Sequence, residues 1–175
     1  MYPCPYIDYL IYFHVERDYF ECHEVLEEFW KEAPIGKRQT HWVGLIQVAV
    51  GLYHHRRGNR KGAVRMFEKA HTIVCHHRKS FKELGLDPDR LLEQLSNQIN
   101  VIKHQQIPFR DMNLPLSNEV ISACKVRCKQ LGKSWGLMTS QNISDFLLHK
   151  HMLRDRSAVI SERLQQLQVR SKKNS

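Results

Sequence analysis

Asp18-Tyr19-Phe20-Glu21-Cys22-His23-Glu24-Val25-Leu26-Glu27-Glu28-Phe29-Trp30-Lys31-Glu32 is the stretch that decides how the chain folds. Asp18 is a good helix N-cap, and Glu21 three residues later completes a capping-box-like pair. Tyr19, Cys22, Val25, Leu26, Phe29 and Trp30 then recur at the spacing of one apolar helical arc. The helix runs to about Glu32 and stops before Pro34, because a residue preceding proline is pushed out of the helical region. On a wheel of about 100° per residue, His23 falls at the edge of the apolar arc beside Trp30. Glu27 follows one turn further along the same edge. Glu21, Glu24 and Glu28 point toward solvent, so Glu27 is the acid expected to be half-buried.

The same periodicity spreads in both directions. Upstream, Tyr6, Leu10 and Phe13 share one side of a short helix over 6–14. Downstream, residues 35–39 form a loop and Thr40 caps a helix over 41–57, which Gly58-Asn59 ends. A helix over 60–80 carries Ala63, Phe67, Ala70 and Val74. Asp87-Pro88 is an N-cap with proline at the first helical position. The helix it opens holds Leu91, Leu95, Ile99 and Ile102 on one stripe and ends before Pro108. Residues 107–117 read as extended chain lying across the bundle, and 118–131 as a helix closed by Gly132. Residues 143–153 fit helix or strand, 157–170 a last helix, and 171–175 a disordered tail. No strand-rich run competes, so the fold class is all-α. The expected organisation is a compact single-domain helical bundle over 1–106, a C-terminal helical extension over 107–170 packed on it, and the tail. Gly58-Asn59, Gly62-Ala63 and Phe67 to Ala70 echo a tetratricopeptide hairpin, but no second copy follows at the 34-residue period.

Composition narrows the classes of function. A chain of 175 residues with 42% hydrophobic and 26% charged residues is an ordinary globular domain. No apolar run approaches the roughly 18 to 20 residues needed to cross a bilayer. The start lacks the basic and apolar regions of a secretory signal. Cys4, Cys22, Cys75, Cys124 and Cys128 are odd in number and sparse, which argues for reduced thiols and a cytoplasmic protein. The net charge of +9 is unevenly spread: −6 over 1–34, +9 over 35–79, −2 over 80–100 and +8 over 101–175. The C-terminal excess can attract nucleic acid, acidic protein or lipid headgroups, or simply support solubility. His149, Lys150, His151, Arg154 and Arg156 form its densest cluster, a weak candidate for anion binding.

The helix from His41 is apolar around most of its circumference, through Trp42, Leu45, Ile46, Val48, Ala49, Leu52 and Tyr53. Its remaining face holds Gly44, Gln47, Gly51 and His54. Two glycines inside a helix cost about 1 kcal/mol each against alanine, which implies close approach of a neighbour. If the His23/Glu27 edge meets this face, His23, Glu27, Gln47 and His54 converge in a semi-buried polar pocket. Two imidazoles and a carboxylate, His23, His54 and Glu27, suit a divalent transition metal. A satisfied buried hydrogen-bond network explains the same residues without a ligand. The zincin pattern H-E-x-x-H is not met, since its second histidine is absent. The pairs His54-His55 and His76-His77 put neighbours about 100° apart and are poor chelates. No glycine-rich phosphate loop, dinucleotide fingerprint or nucleophile motif is present.

Phe20-Glu21-Cys22-His23-Glu24-Val25-Leu26-Glu27-Glu28-Phe29-Trp30, Gly44-Leu45-Ile46-Gln47-Val48-Ala49 with Tyr53-His54, Gly58-Asn59 with Gly62-Ala63, and Gly85-Leu86-Asp87 together resemble the family called domain of unknown function 309. The likeness spans roughly residues 10–105. With Asn113-Leu114-Pro115 and Arg154-Asp155-Arg156-Ser157, the whole chain looks like the longer form found in spore-forming bacilli. The resemblance implies a compact all-helical fold and assigns no activity. Its His-Glu-x-x-Glu and Gln…His positions fall on His23, Glu24, Glu27, Gln47 and His54. Three functions follow as expectations. The first is a binding or scaffold module with a polar pocket. The second is a metal-dependent hydrolase using His23, Glu27 and His54, and the third is nucleic-acid association through residues 143–175. Whether the protein is an enzyme, and its oligomeric state, are open at the level of sequence.

Overall fold

The computed structural model describes residues 2–104 and 108–136. The first helix, α1 (Cys4–Ile11), opens with a proline in its first turn and buries Tyr6, Ile7, Tyr9, Leu10 and Ile11. It widens into one π turn over Tyr12–Glu16 and is stopped by Arg17, whose φ of 54° lies in the left-handed region. Asp18 then caps α2 (Tyr19–Glu32), accepting the Glu21 N–H at 3.0 Å. This is the start that the capping pair predicts. The helix ends at Ala33, which is extended ahead of Pro34.

The central helix is α3 (Thr40–Arg56), packed between α2 and α4. Thr40 lies inside its first turn, and no side chain caps it, contrary to the expectation that Thr40 is the cap. Gly58, at φ 76°, turns the chain, and Asn59 caps α4 (Arg60–His76) through the Gly62 N–H. The glycines of α3 do what their cost implies. A Cβ on Gly44 would lie 2.9 Å from Ile73 and Phe81, and one on Gly51 would lie 2.6 Å from the Phe67 ring. That face of α3 is therefore pressed against α4 and its continuation.

One long helix was expected over 60–80, and the structure divides it. His77, at φ −120° and ψ 30°, breaks the helix, and a short α5 (Arg78–Glu83) follows. Gly85, at φ 72°, completes the turn. Asp87 accepts the Asp89 and Arg90 N–H groups at the start of α6 (Pro88–His104), which packs on α4. Residues 108–117 are non-helical chain, as read from the prolines, and they meet the turn before α6 through an antiparallel Leu86–Leu116 bridge. The last described helix, α7 (Asn118–Gln130), is capped by Ser117 and packs on α1. Arg127 grips Asp8 of α1 with two hydrogen bonds of 2.7 and 3.0 Å.

The fold is all-α. Among the described residues no helix is long and apolar enough to cross a membrane. Its core runs continuously from Tyr6, Tyr9 and Phe13 through Leu26, Leu45 and Leu52 to Phe67, Val74, Phe81 and Leu91. Buried tyrosines tie it across the chain: Tyr6 donates to the Leu84 carbonyl and Tyr9 to the Leu45 carbonyl. The crossing segment is anchored by Arg17, a buried charge that donates to the carbonyls of Phe13 and Met112 and to Asn113. Residues 137–175, including the ambiguous 143–153 stretch, the 157–170 helix and the tail, lie outside the described residues.

Candidate functional site

The flank of α2 beside its buried arc carries His23, Glu24, Glu27 and Lys31. Burial of Tyr19, Cys22 and Leu26 fixes the rotation of the helix, and this leaves His23 and Glu27 half-buried at the edge. His23 Nε2 is 3.3 Å from Glu27 Oε2, the i,i+4 contact that the sequence predicts. His23 Nδ1 is 2.9 Å from Glu24 Oε1, a contact that it does not. Glu24 was read as facing solvent, yet its side chain is only 25% exposed. The reason is geometric. Glu24 stands about 60° from Glu27 around the helix, so both carboxylates reach the same imidazole. That i,i+3 spacing was the available signal. Lys31 adds a 3.2 Å pair to the other oxygen of Glu27. Phe20, on the same flank, packs against both His23 and Tyr53 of α3, so the ring of His23 is supported from the side.

The other two expected pocket residues are placed elsewhere. α2 meets α3 through Phe20 on Tyr53 and Phe29 on Trp42. Tyr53 and Trp42 lie about 160° around α3 from the Gly44/Gly51 face. On the helix wheel Gln47 and His54 fall nearer the glycine face than the face of Trp42 and Tyr53. His54 Nδ1 is 3.2 Å from Asn59 Nδ2 and so accepts a hydrogen bond from the residue that caps α4. Burial, then the neighbouring Arg57 and Arg65, lower the pKa of His54 from its usual value. Gln47 Oε1 is buried and accepts no hydrogen bond among the described residues. The set His23, Glu27 and His54 therefore does not form a chelate. Among the described residues, the three whose ligand atoms lie within 4.8 Å of one another are His23, Glu24 and Glu27. The anion cluster His149, Lys150, His151, Arg154 and Arg156 lies outside the described residues.

The arrangement on α2 is one imidazole held between two carboxylates. If Nδ1–H donates to Glu24, Nε2 presents its lone pair toward Glu27. Two ligand atoms each about 2.1 Å from a tetrahedral ion stand about 3.4 Å apart, close to the 3.3 Å separation of Nε2 and Oε2. A carboxylate on the far nitrogen of a ligand histidine fixes its tautomer and raises its basicity. Glu24 stands in that position.

The fold and this flank together define a small all-helical protein with a histidine–carboxylate cluster on its second helix. Residues 6–66, which include the cluster and all of α3, match the model of the family described as domain of unknown function (DUF309). Over 174 residues the chain is 45% identical to "Uncharacterized protein YpuF" of Bacillus subtilis (strain 168), covering 98% of each chain. The chain belongs to this family, as the motif resemblance implies. No solved structure matches it.

Proposed function

We propose that this protein is a binding module whose ligand is a divalent transition metal ion held on α2. His23 Nε2 and a Glu27 oxygen are the direct ligands, and Glu24 orients the imidazole from behind. The observation that carries the reading is the 3.3 Å juxtaposition of Nε2 and Oε2, with the other nitrogen already engaged by Glu24. A nitrogen and a carboxylate oxygen suit zinc, iron or manganese. The ligands come from a single half-buried flank of one helix, so the ion's remaining positions face outward, toward water or a partner's side chain. A hydrolase would need the same open position, but its expected third ligand, His54, is engaged with Asn59. These contacts support the binding reading over the hydrolase one. A reducing cytoplasmic setting belongs to the same reading, and the free, buried thiols of Cys22, Cys124 and Cys128 support it.

The test is isothermal titration of the untagged full chain with Zn²⁺, Mn²⁺ and Fe²⁺, alongside thermal melts. One ion per chain and a raised melting temperature are expected. Glu27→Gln and His23→Ala abolish the effect. Glu24→Gln weakens binding by about 10- to 100-fold while keeping the stoichiometry. Substoichiometric metal in the purified protein, with no gain in melting temperature from any of the three ions, overturns the reading.

A further inference from the structure

The outward face of α4 carries one sign of charge. Ala63, Phe67, Ala70 and Val74 bury one side of this helix. Lys61, Arg65, Lys69, Thr72 and His76 are exposed, and on the helix wheel they fall within about 80° of one another on the opposite side. Each cation stands four residues, about 6 Å of rise, from the next, and the row through His76 is about 22 Å long. The single acid of α4, Glu68, is taken by Lys103 of α6 at 2.7 Å. Lys61, Arg65 and Lys69 themselves form no ion pair among the described residues.

Folding alone does not explain this row. Like charges at i,i+4 repel each other. Lys61 also stands in the first turn, at the positive end of the macrodipole, where the helix has no acid. Elsewhere the chain sets opposite charges at the same spacing, as in Lys31 on Glu27 and Lys79 on Glu83. A polyanion is the partner that offsets the cost. The exposed large apolar residues among those described, Ile35, Val126 and Leu131, all lie off α4. The face therefore lacks the apolar side of a membrane-surface helix, the aromatic centre of a protein interface and the rings that stack on single strands. What it offers is regularly spaced charge, which suits a duplex backbone. The major groove of B-DNA, about 12 Å wide, admits a helix face between its phosphate rows, and the narrow groove of A-form RNA does not. We propose that the outward face of α4 binds the phosphates of double-stranded DNA without reading its sequence. Lys61, Arg65 and Lys69 make the phosphate contacts. The surface shares no residue with the α2 cluster.

The experiment is fluorescence anisotropy of the full chain with two DNA duplexes of unrelated sequence, across a range of salt and in the presence of EDTA. EDTA makes the outcome independent of metal on α2. Equal affinity for the two duplexes is expected, with a logarithmic affinity that falls linearly with the logarithm of salt. The decisive variant combines Lys61→Gln, Arg65→Gln and Lys69→Gln. It removes repulsion along the helix, so its melting temperature is expected to hold or rise. Its affinity is expected to fall about tenfold or more, and its salt slope to become shallower by about 3, one for each lost phosphate contact. A second variant, Lys150→Gln with Arg154→Gln and Arg156→Gln, keeps the α4 row and is expected to keep its duplex binding. Loss of binding in this second variant alone overturns the proposal. So does an α4 variant that binds as tightly as the parent, or the absence of salt-dependent binding to either duplex. Tighter binding to single-stranded DNA, duplex RNA, polyglutamate or anionic vesicles than to duplex DNA overturns it as well.

Discussion

Gly51 shows how tightly single positions are constrained. Alanine in place of a helical glycine favours the helix by about 1 kcal/mol. Here the added methyl would sit 2.6 and 2.8 Å from two carbons of Phe67, a ring with no exposed surface. Overpacking of that kind costs about 1–3 kcal/mol, so the clash outweighs the propensity gain. Gly51→Ala is expected to lower the melting temperature by several degrees. Gly36→Ala, where nothing lies within 4 Å, is expected to change it little. Equal melting temperatures for the two variants would refute the close α3–α4 contact. The need for a small residue at 51 was legible in the sequence. Its partner was not, because a wheel shows which side is small without saying which helix lies there. The same limit explains the candidate site. His23 and Glu27 share one helix, so their spacing alone predicts their contact. Gln47 and His54 depended on guessing which face of α3 meets α2, and the bulky Trp42 and Tyr53 took that face.

At the scale of elements, caps and breaks differ in what they reveal. Asp18, Asn59, Asp87 and Ser117 act within three residues of themselves; the sequence marks Asp18 and Asp87 as caps, marks Asn59 only as the end of α3, and does not single out Ser117. The break at His77 has no such mark. Phe81 is in helical phase with Val74, so the apolar periodicity continues straight through it. Only the three-dimensional need to turn the chain toward α6 divides the two helices. Asn59 is the most informative cap, since it serves two elements: it accepts from Gly62 and donates to His54 of α3. Asn59→Ala is expected to cost about 1–2 kcal/mol, and Asn59→Asp less, because aspartate keeps the cap and loses only the donor to His54. Urea denaturation of the two variants checks this. If the aspartate variant is as unstable as the alanine one, the His54 contact carries more than the cap.

At the scale of the whole molecule, the histidines whose pKa values are lowered by burial predict a loss of stability in acid. His14 sits between the rings of Phe13 and Trp135 at 2% exposure, and burial, reinforced by nearby Arg17, lowers its pKa to about 3. Burial also lowers those of His41, His54 and His55. In the unfolded chain these groups return to about 6.5. Below that pH the unfolded state takes up protons that the folded state refuses, so stability is complete above about pH 6.5 and falls as the pH drops. For His14 alone the slope approaches ~1.4 kcal/mol per pH unit through the window between about 6 and 4. The other three histidines act in the same direction, as does the self-repulsion of a chain that carries +9 at neutral pH. His14→Phe separates the first contribution from the rest, because it keeps an aromatic ring between Phe13 and Trp135 and removes the titration. Its unfolding midpoint in urea is expected to track the parent near pH 7.5 and to decline less steeply from pH 6 to 4. A variant with the parent's full acid slope would show that His14 is protonated in the folded protein and that the interior around Trp135 admits water.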